Sequence, residues 1–135
     1  MDLKSAIHIA SAGMNAQSAR LKVVAENIAN VDSLATKPGG DPYRRKLVVF
    51  KNELDKELGI NKVTVARIDH DKSAFKRDYE PGNPVADADG YLYRPNVNTM
   101  IESMDMKQAQ RSYEANLSTI EVTKTMINQT LDLLR

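Results

Sequence analysis

Few residues in this sequence combine the type and the spacing that chemistry requires. Of its two histidines, His8 stands between Ile7 and Ile9, one position off an apolar stripe, and is expected to be a packed or surface imidazole. His70 lies between two carboxylates in Asp69-His70-Asp71-Lys72. A structural or transition-metal site needs three or four converging ligands, so a polar turn is expected there. The segment VADADG, residues 85–90, sets Asp87 and Asp89 at the third and fifth positions of a calcium-type loop with Gly90 at the sixth. The first and twelfth positions are then Val85 and Asn96, and without those two carboxylates most of the binding energy is missing.

With no cysteine, disulfides, thiolate metal sites and cysteine nucleophiles are excluded. No nucleophile elbow, phosphate loop or dinucleotide fingerprint occurs. The chain is therefore expected not to be an enzyme and to carry no metal or cofactor. The 19 basic and 18 acidic residues nearly cancel, which argues against nucleic acid or an anionic membrane as the main partner. The basic run YRRK, residues 43–46, lacks interleaved stacking rings. It is expected to be a solvated strand edge, charged against unwanted pairing.

The residues that stand out are amides. Asn27 and Asn30 fall within one turn near the end of a long apolar repeat, and asparagine is a poor helix former. Asn30 is placed to end the helix. Asn27 comes a full turn too early for that, beside Ile28, and is expected to hydrogen-bond a neighbouring helix, where an asparagine can fix register. The contact is expected to be between subunits.

The elements that must position these residues form three regions. Residues 1–32 carry Leu3, Ile7, Ala10, Met14, Gln17, Leu21, Val24, Ile28 and Val31 at alternating steps of four and three, all apolar except Gln17. This is a sustained heptad pattern, long enough for a helix of roughly 45 Å. Residues 97–135 repeat the theme with Tyr113, Leu117, Ile120, Lys124, Ile127, Leu131 and Leu134. Val97, Ile101 and Met104 lie in another frame, so the stripe is expected to shift near Lys107. Asn96 and Asn98 are N-cap candidates.

Between the helices, residues 33–96 hold all five prolines and five of the six glycines. YRRKLVVF (43–50) and NKVTVARI (61–68) read as strands, KNELDKELG (51–59) as a helical turn or polar loop, and Tyr91–Tyr93 as one short strand. The expected fold is mainly α with a small β insert, the terminal helices forming a coiled coil. No apolar run approaches the ~20 residues that span a bilayer. The N-terminus lacks the basic and apolar regions of a secretory signal.

The first helix carries seven alanines and five charged residues in positions 1–31. An isolated coiled coil flanks its seam with charges. Small neutral faces fit either a two-helix hairpin or a helix contacted on several sides by other subunits. Helices that must meet across about 64 residues bear a loop-closure cost, so the termini are expected to order fully only on assembly.

The stretch SAGMNAQSARLKVVAENIANVDS resembles the N-terminal motif of bacterial flagellar rod and hook proteins. VNTMIESMDMKQAQRSYEANLSTIEVTKTMINQTLDLL resembles their C-terminal motif, with QRSYEAN its most specific part. Together they cover roughly 60 of the 135 residues. PGGDPYRRKLVVF, DGYLYRPNVN and the short length are similar to the proximal rod members. NVDSLATKPGG stands where longer relatives carry a Thr-Gly-Phe or Thr-Gly-Tyr segment.

The resemblance implies a structural subunit that polymerises helically in the periplasm into the hollow drive shaft. It implies export by the flagellar type III apparatus without a cleaved signal. The implied partners are the rod subunits FlgB, FlgF and FlgG, the rod-base protein FliE and copies of itself, with no nucleic acid and no membrane insertion. Candidate interface residues are Leu3, Ile7, Met14, Leu21, Val24, Asn27, Ile28 and Asn30 on the first helix. On the last they are Gln110, Arg111, Tyr113, Asn116, Leu117, Ile120, Ile127, Leu131 and Leu134. Two rivals remain: FlgB itself, and a non-flagellar coiled-coil interaction module.

Overall fold

The structure is a computed structural model that describes residues 3–133. Its elements are α1 (Leu3–Ala29), β1 (Lys46–Asp55), β2 (Ile60–His70), β3 (Lys76–Tyr79), β4 (Tyr91–Arg94) and α2 (Thr99–Leu133). Two long helices flank a small antiparallel β region, as the sequence pattern leads one to expect. The strands pair only with their sequence neighbours, β1 with β2 and β3 with β4.

The β1–β2 ribbon is longer than its apolar residues indicate. The polar segment after Phe50 is divided: β1 continues through its first half to Asp55, and residues 56–59 form the turn. Its support is cross-strand polar pairing. Glu53 faces Lys62 and Lys51 faces Thr64. The Thr64 hydroxyl donates to Glu53 at 3.1 Å and Lys62 Nζ lies 2.9 Å from Asp55. The turn is tight because Gly59 takes φ +64° and Asp55 Oδ1 accepts from the Glu57 and Leu58 amides. The pairing passes from Val49↔Arg67 to Phe50↔Val65, leaving Ala66 as an extra residue. Such a bulge sharpens the twist of a ribbon. The second ribbon includes β3, Lys-Arg-Asp-Tyr. Its charged sequence has no apolar alternation to reveal a strand. Arg94 of β4 holds it by an ion pair to Asp78 and a second to Glu80, the residue after the strand.

The helices lie antiparallel, since Asn27 bonds Glu102, Arg20 bonds Asp105, and Gly13 faces Asn116. At Gly13 the approach is so close that an added Cβ would lie 2.7 Å from Asn116 Nδ2. Gly13 and Asn27 are two heptads apart, as are Asn116 and Glu102, about 21 Å along either helix.

The covered seam of α2 differs from the apolar stripe in its sequence. It runs in one frame through Glu102, Met106, Ala109, Tyr113, Asn116, Ile120, Thr123 and Ile127, all buried or half-buried. No frame shift occurs near Lys107. Ile101 and Met104, and the predicted stripe members Leu117, Lys124 and Leu131, are exposed. Tyr113, Ile120 and Ile127 belong to both frames. With glutamate, alanine, asparagine and threonine at every second position of the seam, its apolar signature is interrupted. Thr123 is buried because its hydroxyl donates to the Thr119 carbonyl at 2.7 Å, satisfying it within the helix.

Asn98 caps α2, its Oδ1 accepting from the Met100 amide at 3.0 Å. Asn96 does not cap. Its Oδ1 accepts from the Arg45 amide, and its Nδ2 donates to the Asp71 and Ser73 carbonyls. No described helix is long and apolar enough to cross a membrane.

Candidate assembly surfaces and the polar hub

The most constrained cluster in the molecule is polar. Asn27 is 1% exposed and Glu102 0%. A buried carboxylate is tolerated only when it is paired and its oxygens are satisfied. Glu102 Oε1 accepts from Arg45 Nε, and Oε2 accepts from Asn27 Nδ2 at 3.0 Å. Arg45 also reaches Asp71 at 3.4 Å and Asp105 at 3.5 Å, and Asp105 receives Arg20 at 2.9 Å. The chain of charges thus passes from α1 to α2, then through the residue before β1 to the end of β2.

Asn27 closes the cluster from below. Its Nδ2 donates to the Lys46 carbonyl as well as to Glu102, and its Oδ1 accepts from the Lys46 amide and the Tyr43 hydroxyl, all at 2.9–3.0 Å. Both donors and both lone pairs of the amide are used. The neighbouring helix that Asn27 bonds is α2 of its own chain. Asn30 has the local role read for it. Its Nδ2 donates to the Glu26 carbonyl at 2.8 Å and its Oδ1 accepts from Ser33 at 3.0 Å.

The hub also overturns the reading of YRRK. Arg45 is not a solvated edge residue but the central cation of the cluster. Burial works against its charge, yet the bonds to Glu102 and Asp71 leave the guanidinium pKa above its ordinary value. Burial likewise raises the Tyr43 phenol. The Asp71 carboxyl is held below the aspartate range, chiefly by the Ser73 amide and hydroxyl and then by Arg45.

The other candidate residues divide by helix. On α1, Val24 and Asn27 are buried and Leu3, Ile7, Met14, Leu21 and Ile28 are half-buried, as is Asn30 just past its end. A second covered face, through Ala16, Val23 and Asn27, turns toward β1 and β2. On α2, Tyr113, Asn116, Ile120 and Ile127 are half-buried, while Gln110, Arg111, Leu117 and Leu131 are exposed. Leu134 lies outside the described residues. Gln17, the polar member of the α1 stripe, has a buried Oε1 with no donor among the described residues.

Sequence reasoning missed Arg20, Arg45, Glu102 and Asp105. The signal for Arg45 and Glu102 is faint: a glutamate one turn into a helix is ordinarily a surface residue favoured by the helix dipole.

The described residues thus form a long helix pair, a side ribbon and a buried polar clamp that ties them together. Residues 7–33 match the family described as flagella basal body rod protein. Residues 88–133 match the family described as flagellar basal body rod FlgEFG protein, C-terminal. The flagellar basal-body rod protein FlgC of Agrobacterium fabrum is 47% identical over 133 residues, covering 98% of this chain and 96% of the relative. FlgC of Salmonella typhimurium is 42% identical, covering 98% of each. FlgC of Borreliella burgdorferi is 39% identical over 153 residues, covering 100% and 99%. The chain belongs to the flagellar basal-body rod protein family.

Proposed function

We propose that this protein is a structural subunit of the flagellar rod, of the proximal FlgC type. The observation that carries this is full-length similarity at 37–47% identity to proteins named FlgC. The elongated helix pair suits the role. Torque passed along a shaft must cross many weak contacts, and long helices packed side by side supply them without chemistry. FlgB is not favoured, because the full-length relatives carry the FlgC name. A free-standing coiled-coil module is not favoured either, since both terminal motifs belong to rod families.

The finer features belong to the same proposal. The α1–α2 pair acts as a coiled-coil-like core, supported by its four-three spacing. Subunits meet through heterologous contacts that do not close. Partners are FlgB, FlgF, FlgG, FliE and further copies, reached in the periplasm after export by the type III apparatus.

Leu21→Asp tests the assembly role. It sets a carboxylate on the half-buried stripe of α1, where an unpaired charge is costly. The variant is expected to remain soluble with an intact β region, and to be absent from isolated basal bodies in non-swimming cells. Normal swimming by this variant would refute the role of that stripe.

A further inference from the structure

The two helices leave bare faces of opposite character. The exposed row of α1 steps by four and three through Lys4, His8, Ser11, Asn15, Ser18 and Lys22. It carries no acid, and neither lysine forms an ion pair among the described residues. The row's N-terminal half borders a cleft of about 360 Å³, walled on the far side by Val63, Thr64 and Val65 of β2 and by the ion pair of Lys62 with Asp55 of β1.

The outer face of α2 is apolar over its C-terminal half: Val122, Met126 and Leu133 are 56%, 48% and 87% exposed. One edge of the helix carries Glu114, Glu121 and Asp132, with Arg111 and Lys124 also exposed nearby, and none of the five is ion-paired among the described residues. Exposed apolar faces rimmed by polar groups mark contact surfaces, and methionine is favoured in them.

The charges also match in spacing. Lys4 and Lys22 are 18 positions apart, as are Glu114 and Asp132, which is about 27 Å on either helix. We propose that the α1–ribbon cleft of one copy receives the outer face of α2 from a second copy. This rests on the reading of the chain as a rod subunit and names one of its contacts.

Copies in a helical assembly share one polarity, and α1 and α2 are antiparallel within the chain. The contact between copies is therefore antiparallel too. Lys22 meets Glu114, Lys4 meets Asp132, and Met126 seats beside Ser11 in the cleft. The two surfaces are different, so each copy offers one of each and the series does not close.

The absence of cysteine makes the test direct. The full chain carrying Ser11→Cys and Met126→Cys, expressed in flagellated cells, is oxidised in isolated basal bodies. The expected product is a ladder of disulfide-linked copies, at a yield at least about tenfold above either single variant, a ratio worth about 1.4 kcal/mol. The pair Lys22→Cys with Glu114→Cys gives the same ladder, and Ile68→Cys with Met126→Cys gives none. All these positions are exposed, so folding is not at issue.

Two results would overturn the contact and leave the rod reading intact. One is the double variants incorporated into basal bodies without a ladder from either pair. The other is dimers formed by Met126→Cys alone at the yield of the double variant. Absence of the wild-type chain from basal bodies would overturn the rod reading, and this contact with it.

Discussion

The two long helices are alike in period but unlike in what surrounds them. α1 has α2 on one side and the β1–β2 ribbon on another, and even its alanines are buried at Ala10 and Ala16. α2 has α1 on one side and, among the described residues, nothing across its outer face from Met104 to Leu133. The contrast explains their compositions. A helix enclosed by its own chain needs small side chains, so that α2 and the ribbon can both approach. A helix that covers one neighbour within the chain can keep large apolar groups for another outside it. Apolar content alone does not separate the cases: α2 exposes more large apolar side chains than it buries.

The largest expected effect lies where the enclosed side is clamped. Arg45→Met removes the cation from Glu102 and leaves a buried carboxylate unpaired, which costs about 3–5 kcal/mol. Urea unfolding of the purified chain measures this. A loss under about 1 kcal/mol would show that water reaches Glu102 and that the clamp is superficial. Asn27→Ala strands the Tyr43 hydroxyl and both Lys46 backbone groups, and is expected to lose about 2–3 kcal/mol in the same assay.

Acid should loosen the clamp in a defined direction. The Asp71 carboxyl is held below its ordinary range in the folded chain. Its stabilising contribution is therefore complete above the unfolded value and is lost as pH falls through the depressed folded one. Stability is expected to decline below about pH 4, and Asp71→Asn should flatten part of that decline in thermal melts. If the profile of the variant overlays the wild type, the Asp71 link contributes nothing.

The smallest effect is expected on the bare helix. Val122→Ser changes an exposed position of α2 and should move the stability of the isolated chain by no more than about 0.5 kcal/mol. A loss beyond about 1 kcal/mol would mean that the outer face is covered within the chain, and the contrast between the helices would fail.

The sequence carried the architecture because period and composition act locally. The four-three repeats of α1, the loop residues between Pro38 and Pro95 and the β-branched strands each specify an element without reference to the rest. The two terminal motifs carried the family in the same way. Asn30 was legible as a helix stop for a local reason, since its partners Glu26 and Ser33 lie within one turn.

What only the tertiary structure decided is which faces meet. The true seam of α2 was hidden because Glu102, Ala109 and Thr123 are buried, and Asn116 half-buried, for their size or their bonds rather than their hydrophobicity. The extension of β1 through Lys51–Asp55 was hidden because its support comes from β2, across the ribbon. Asn27 could be suspected as a register residue, but its partners stand 16, 19 and 75 positions away. A hydrogen bond between side chains so distant leaves no period in a sequence, because only the folded chain brings its two ends together.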